Sequence, residues 1–296
     1  MHKGSKGSMR FGTALAFIVL GLAVLIVAAI VIASEVRRDV EVMAPQAHRA
    51  IYDLSLDDVN SGSSVTSLDG RMVVEWRGGP RCDGYTSEQR VVTRTLDDDG
   101  QSTVHDIRLN AWESLNGDEF RFDRVEYFNG AKSVHEYGAA TRANGAVSLI
   151  INDGAPRSLP DNVMFPNAFN AAMNKAMAQG RTSFSHPLFD GAQDSATLVT
   201  AFIGRPTDGL DSAAKLRIGH MRYGMPLSKM KPRSIHMSYF DLGEDSPDVL
   251  PDAPPSFEMD FMAFPNGVMS HLRLVYDDAV VKGNLKALEY FKPGSC

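Results

Sequence analysis

Short runs of alternating apolar and polar residues, separated by Asn-Gly and Asp-Gly dipeptides, dominate this sequence and limit the folds it can adopt. Both residues of such a dipeptide tolerate the positive φ angles that tight hairpin turns require. Parallel strands would need long helical crossovers, for which the first half of the chain has no room. The pattern therefore predicts one antiparallel sheet built largely from consecutive hairpins. The turns are predicted at Asp69-Gly70, Asp99-Gly100, Asn116-Gly117, Asn129-Gly130, Asn144-Gly145, Asp153-Gly154 and Asn266-Gly267.

Alternation with period two predicts strands that bury one face. In the first of them, Ala50, Tyr52, Leu54 and Leu56 alternate with polar residues. The acidic, proline-rich stretch from residue 244 to 255 is typical of an exposed loop. The predicted strands cover residues 48–56, 71–77, 89–96, 104–112, 119–128, 131–142, 146–152, 182–189, 197–203, 215–223, 233–242, 257–264, 268–276 and 280–291.

One helix interrupts this series. Pro166 is a favoured first helical residue and Gly180 is a favoured terminator, so we expect a helix over residues 166–179 that packs on the sheet. Its apolar stripe has two interpretations: it fills the core of a curved sheet, or it lines or plugs an apolar ligand cavity. The first is the more common use of such a stripe. The candidate cavity-lining residues are Phe165, Phe169, Met173 and Met177.

The N-terminal residues have the features of an export signal. Basic residues up to Arg10 precede an uncharged apolar run from Phe11 to Ala33. The run ends in small residues typical of a signal-peptidase site, yet it is also long enough to span a bilayer. We therefore expect residues 1–33 to contact the inner membrane, either as a cleaved signal peptide or as a retained anchor. Residues 34–47 are predicted to be a linker, and residues 48–296 a single domain outside the cytoplasm.

The only two cysteines of the chain are Cys82 and Cys296, the last residue. In an oxidising compartment a single pair is expected to form a disulfide. Such a bond would enclose most of the protein in one covalent loop. Chain-entropy arithmetic for a loop of this length gives a stabilisation of roughly 5 kcal/mol.

Several classes of function lack support in the sequence. The formal net charge of −6 argues against a nucleic-acid surface. The eight histidines are scattered, with no zinc-ligand spacing, and neither a nucleophile elbow nor a phosphate loop occurs. Cys82 with His105 or His135 as a base lacks a surrounding catalytic signature. We therefore predict a protein without catalytic residues, bound metal or cofactor, in which no histidine is required for function.

The order of several short motifs resembles the EipB family of bacterial cell-envelope integrity proteins. The resemblance covers residue 48 to the end of the chain, and the positions of the two cysteines contribute to it. The other motifs are His48-Arg49-Ala50-Ile51-Tyr52-Asp53-Leu54, Gly70-Arg71-Met72, Cys82-Asp83-Gly84-Tyr85-Thr86, Leu159-Pro160, Phe165-Pro166, Phe189-Asp190-Gly191, Ser238-Tyr239-Phe240, Pro265-Asn266-Gly267-Val268 and residues 285–296.

This resemblance implies a mainly β periplasmic protein whose antiparallel sheet is wound into a spiral or half-open barrel. It implies a disulfide between Cys82 and Cys296, a role in envelope integrity under stress, and a periplasmic tetratricopeptide-repeat protein as a functional partner. The family supplies no catalytic residues. Its fold looks like that of lipoprotein-carrier proteins, so a carrier of lipid or lipoprotein acyl chains is the alternative function.

Overall fold

The computed structural model describes residues 45–208, 217–219, 223–242 and 254–296. All fifteen strands of these residues belong to one sheet. The strands are β1 (His48–Val59), β2 (Val65–Gly78), β3 (Gly84–Asp97), β4 (Ser102–Ser114), β5 (Glu119–Phe128), β6 (Ala131–Ala143), β7 (Ala146–Ile151), β8 (Arg157–Leu159), β9 (Ser183–Leu188), β10 (Thr197–Pro206), β11 (Arg217–Gly219), β12 (Arg233–Asp241), β13 (Phe257–Ala263), β14 (Met269–Val275) and β15 (Ala279–Tyr290).

Fourteen of these strands follow a single path in the order β8-β7-β6-β5-β4-β3-β2-β1-β15-β14-β13-β12-β10-β9, and every pair along it is antiparallel. Strand β11 pairs parallel with the end of β15. The path has two ends, at β8 and β9, so the sheet is not closed. A single bridge between Met164 and Leu188 links the segment after β8 to β9. The predicted mainly β fold, with one unclosed antiparallel sheet, is confirmed.

Most of the predicted turns are present, and their backbone explains why. Asn129-Gly130 and Asn144-Gly145 have positive φ at both residues, as the type I′ hairpin requires. The prediction of a turn at Asp69-Gly70 is wrong, because both residues lie inside β2. A Cβ atom on Gly70 would stand 2.4 Å from the Val92 carbonyl oxygen. This glycine therefore permits close approach of two strands rather than a reversal of the chain.

The described α-helix, α1 (Pro166–Ala178), begins at the predicted proline and ends one residue before the predicted boundary. Phe169, Met173 and Ala176 are buried on one side of it. Phe169 packs edge-on against Phe184 of β9, with ring centroids 5.1 Å apart. We call the face of the sheet that carries the buried clusters the inner face, and the opposite one the outer face.

The end of the chain is fixed to the start of β3. A disulfide joins Cys82 to Cys296. Next to it, the Gly78 amide donates to the Ser295 carbonyl, and the Arg77 guanidinium lies 3.7 Å from the centroid of the Phe291 ring. The expected pairing of the two cysteines is therefore present, and it fastens the chain terminus to the hairpin between β2 and β3.

Some expectations concern residues that the structure does not describe. The N-terminal segment 1–33, most of the linker 34–47, most of the predicted strand 215–223 and most of the predicted loop 244–255 lie outside the described residues. Among those that are described, no helix is long and apolar enough to cross a membrane. Strand β8 was not predicted, since three residues are too few to show alternation.

Candidate functional site

The candidate cavity-lining residues pack within the core. Phe165 is fully buried and stacks on Phe120, with ring centroids 5.3 Å apart. Phe169 and Met173 belong to a second, larger apolar cluster, and Met177 packs at its border while partly exposed. This placement accords with a helix that fills the core. The alternative, that the four residues line a ligand cavity, stays a prediction.

A buried carboxylate of β4 holds the start of α1. Glu113 accepts hydrogen bonds from the backbone amides of Asn167 and Ala168, at 2.6 and 2.9 Å, and from the Asn167 side chain at 3.0 Å. The first helical amides lack partners within a helix, so an external acceptor stabilises them. Burial raises the pKa of Glu113, and the three hydrogen bonds offset this only in part. Trp76 donates from Nε1 to the Asn167 side chain at 2.7 Å, which extends the network to β2.

Beyond the helix, the inner face of β4 to β6 carries charged side chains. By strand alternation Arg124 and Glu126 face the same way as the buried Phe122. Arg124 lies 3.1 Å from Glu126 and 2.7 Å from Glu136, and the His105 Nε2 atom lies 3.0 Å from Glu126. The Nε atom of Arg124 is buried without a hydrogen-bond partner. This part of the inner face is thus polar, unlike the part under the helix.

The outer face contains an open groove of about 500 Å³ across β10, β12, β13 and β14, which we call the outer groove. Phe202, His236 and Asp260 line it as direct neighbours, because the strand register places Phe202 opposite His236 and His236 opposite Asp260. Met262 and His271 complete its far side. Phe202 is 54% exposed, compared with 49% for Phe128 at the end of β5.

A β-bulge shapes the far side of the outer groove. Between the pairs Asp260–Arg273 and Met262–Ser270, β14 carries one residue more than β13. His271 takes a positive φ of 52° there, a conformation that few residues other than glycine adopt. Bulges redirect side chains and occur often beside functional sites. The extra residue brings the His271 side chain to the groove lining.

Three side chains beside the groove follow the order of a Ser-His-Asp triad. The Ser238 hydroxyl lies 3.1 Å from Nε2 of His236, and Nδ1 of His236 lies 2.8 Å from Asp260. Ser238 is nevertheless buried, and its hydroxyl donates to Glu258 at 3.2 Å. Acyl transfer needs hydrogen-bond donors aimed at a developing oxyanion. Amides inside a ladder strand donate to neighbouring strands instead, and the Glu258 carboxylate would repel the charge of an oxyanion. The arrangement suits binding better than nucleophilic attack.

Sequence reasoning missed this group of residues. It treated His236 as one of the scattered histidines and did not single out Phe202, Glu258 or Asp260. Alternation alone puts His236 and Ser238 on one face of β12, but only the pairing of β12 with β13 brings the carboxylates to them. Across the described ranges, no group of three or more His, Cys, Asp or Glu side chains is placed to hold a metal ion.

Comparison with known proteins gives consistent similarities. The family model described as EipB-like matches residues 40–292. The chain is 27% identical over 250 residues to the cell envelope integrity protein EipB of Brucella abortus (strain 2308), which covers 83% of this chain and 85% of that protein. The fold of this chain is similar to that in the crystal structure of a beta-barrel-like protein of domain of unknown function DUF1849 from Brucella abortus. The TM-score is 0.74 at 25% identity, covering 84% of this chain and 99% of that chain.

Proposed function

The chain belongs to the EipB-like family, and from this premise we propose that it maintains the integrity of the cell envelope as a non-enzymatic periplasmic protein. The observation that carries the proposal is the similarity, over 83% of the chain, to a protein named for cell envelope integrity. The disulfide between Cys82 and Cys296 supports the periplasmic location, because such bonds persist in oxidising compartments and are rare in the cytosol.

The protein acts, in this proposal, by binding an envelope partner. The family resemblance suggests a periplasmic tetratricopeptide-repeat protein as that partner. An antiparallel sheet that buries one face on its core leaves the other face available for contacts. Here the outer face carries the outer groove and an exposed Phe202, while α1 covers the apolar part of the inner face. The outer face is therefore the surface on which partner contacts should be sought.

The alternative, a carrier of lipid or lipoprotein acyl chains, receives less support. An acyl chain needs a continuous apolar surface that is open in the ligand-free protein. The apolar part of the inner face packs against Phe169 and Met173 of α1, and the part beyond it carries Arg124, Glu126 and Glu136. Native mass spectrometry of the purified protein separates the two functions, because a carrier should retain lipid and a partner-binding protein should not.

A complementation experiment tests the main proposal. In the organism that encodes this chain, deletion of the gene should increase sensitivity to detergent, and expression of the wild-type chain should restore resistance. The exposed-residue variant Glu88→Ala serves as a matched control that should complement fully. Unchanged detergent sensitivity after deletion would contradict an envelope role.

Fractionation tests the proposed location of the protein, and crosslinking tests the proposed partner. The mature protein should appear in the periplasmic fraction without residues 1–33 if the signal is cleaved, or in the membrane fraction at full length if it is retained. Crosslinking in the envelope, followed by pull-down, should recover a tetratricopeptide-repeat protein. Recovery of the protein from the cytoplasm in reduced form would contradict the proposed location.

A further inference from the structure

The chemistry of the outer groove can be worked out from its exposed groups. Asp260 and Glu258 have side chains that are 41% and 33% exposed, so their carboxylates can still accept hydrogen bonds from a ligand. Two cations lie nearby: Arg273, whose Nη1 atom lies 3.4 Å from Asp260, and Lys282, whose Nζ atom lies 2.9 Å from Asp57. Arg273 also lies 3.9 Å from Asp57 and so is shared between two carboxylates. Asp57, Glu258 and Asp260 face the two basic side chains Arg273 and Lys282, so this group of five has a formal excess of one negative charge.

The orientation of one carboxylate is fixed before any ligand binds. Nδ1 of His236 lies 2.8 Å from Oδ1 of Asp260, and Arg273 contacts Oδ2. Nε2 of the same imidazole faces Ser238 at 3.1 Å and Glu258 at 3.4 Å. A side chain held by neighbours loses less conformational freedom on binding, so the ligand gains affinity. His236 is thus a positioning residue that holds the Asp260 carboxylate at the groove, while Glu258 accepts a hydrogen bond from Ser238.

The opposite wall is aromatic. The Phe202 ring lies on the strand next to His236, with centroids 6.2 Å apart, and Asp260 lies one strand further. Two strand spacings separate the ring from the carboxylate, or roughly 10 Å. The faces of aromatic rings attract organic cations, and carboxylates form charge-assisted hydrogen bonds with them. An exposed ring and the Asp260 carboxylate line the groove, Glu258 lies beside Asp260 on the same strand, and this combination fits a cation on an apolar stem.

We propose that the outer groove binds an arginine or lysine side chain of a partner polypeptide. The stem would lie along Phe202 and Met262 while the cationic head reaches Asp260 and Glu258. The nearby Arg233 does not repel a cation in the groove. It lies two residues before the buried Ile235 on β12, so its side chain belongs to the inner face. The choice of a polypeptide as the source of the cation rests on the proposed partner-binding function.

The test is an NMR titration of the full-length, disulfide-bonded chain in detergent. The probe is the peptide acetyl-Ala-Ala-Arg-Ala-Ala-amide, and the matched peptide carries glutamine in place of arginine. The arginine peptide should shift amide signals of β10, β12 and β13, and the glutamine peptide should not. Equal shifts with both peptides, or no shifts with either, would overturn the proposal.

Three variants locate the binding site. Glu258→Gln and Asp260→Asn should each weaken binding of the arginine peptide about tenfold, since each replaces a charged acceptor with a neutral one. The control is Asp123→Asn, because Asp123 also faces a histidine, His135, at 3.4 Å but lies outside the groove. The control should bind like the wild type. A tenfold loss in Asp123→Asn, or wild-type affinity in both groove variants, would refute the site.

Ethylguanidinium, titrated alone, decides the source of the cation. Weaker binding than the arginine peptide supports a polypeptide ligand, whereas equal affinity would overturn that choice. Failure of the proposed function would appear differently, as an intact envelope after deletion of the gene. That outcome does not alter the peptide titration, so the two failures can be distinguished.

Discussion

The contact between Glu113 and α1 yields the sharpest prediction about stability. Replacing Glu113 with alanine removes the acceptor for the amides of Asn167 and Ala168. A buried donor left without a partner costs about 1–3 kcal/mol, so two such donors give about 2–6 kcal/mol. The raised pKa of Glu113 shows that burial of the charge offsets part of this gain. We therefore expect Glu113→Ala to lower the free energy of unfolding by about 2–4 kcal/mol.

Glutamine at the same position should be less damaging. Glu113→Gln keeps one oxygen acceptor but turns an amide group toward a backbone donor, so about 1–2 kcal/mol should be lost. Urea unfolding followed by circular dichroism measures both losses as shifts in the midpoint at constant slope. The exposed Glu88→Ala should stay within about 0.5 kcal/mol of the wild type. A Glu113→Ala midpoint equal to that of this control would refute the role of Glu113 in holding α1.

Three further predictions concern other parts of the fold. The denatured, unreduced protein should not react with a thiol reagent, and Cys82→Ser should lower the free energy of unfolding by a few kcal/mol, at most about 5; stoichiometric labelling would contradict this. Burial lowers the pKa of His48, so the unfolded chain binds more protons below the ordinary histidine pKa, and the wild type should lose stability relative to His48→Gln as pH falls from 7 to 5; equal thermal melting profiles would refute it. Met173→Ala should cost about 2–5 kcal/mol, and Met173→Glu should unfold the domain; a glutamate variant that melts like the wild type would instead indicate an open cavity.

Most strands could be predicted from the sequence, because apolar alternation and turn residues lie within each segment itself. Residues 119–128 were predicted as a strand and form β5 with the same bounds, since apolar alternation and a flanking turn determine both ends. Strand β8 could not be predicted, because only its pairing with β7 makes these three residues a strand. The turn predicted at Asp69-Gly70 was wrong because this local signal is overridden by strand pairing. The dipeptide permits a turn, but β2 continues through it, and Gly70 allows the close contact with β3.

The role of Glu113 shows a different limit of sequence reasoning. The alternation in β4 places Glu113 at an inward position, where an unpaired carboxylate would be unfavourable. Its partner is 54 residues away, at a helix whose preceding residue, Phe165, supplies no side-chain cap. A helix that begins with proline and lacks a polar N-cap residue should acquire an acceptor from elsewhere. The need could have been predicted from the sequence, although the residue that meets it could not.

The outer groove depends on information that no single strand contains. His236, Asp260 and Phe202 lie on three strands, and a one-residue shift in the pairing of β12 with β13 would move Asp260 to the inner face. The bulge at His271 adds one residue to β14, which changes the face that all later residues of this strand present. Arg273 therefore reaches Asp260 only because the bulge is present. Strand pairing aligns the carboxylates with the exposed ring, and the bulge adds His271 and Arg273 beside them, so the surroundings of the groove depend on both features.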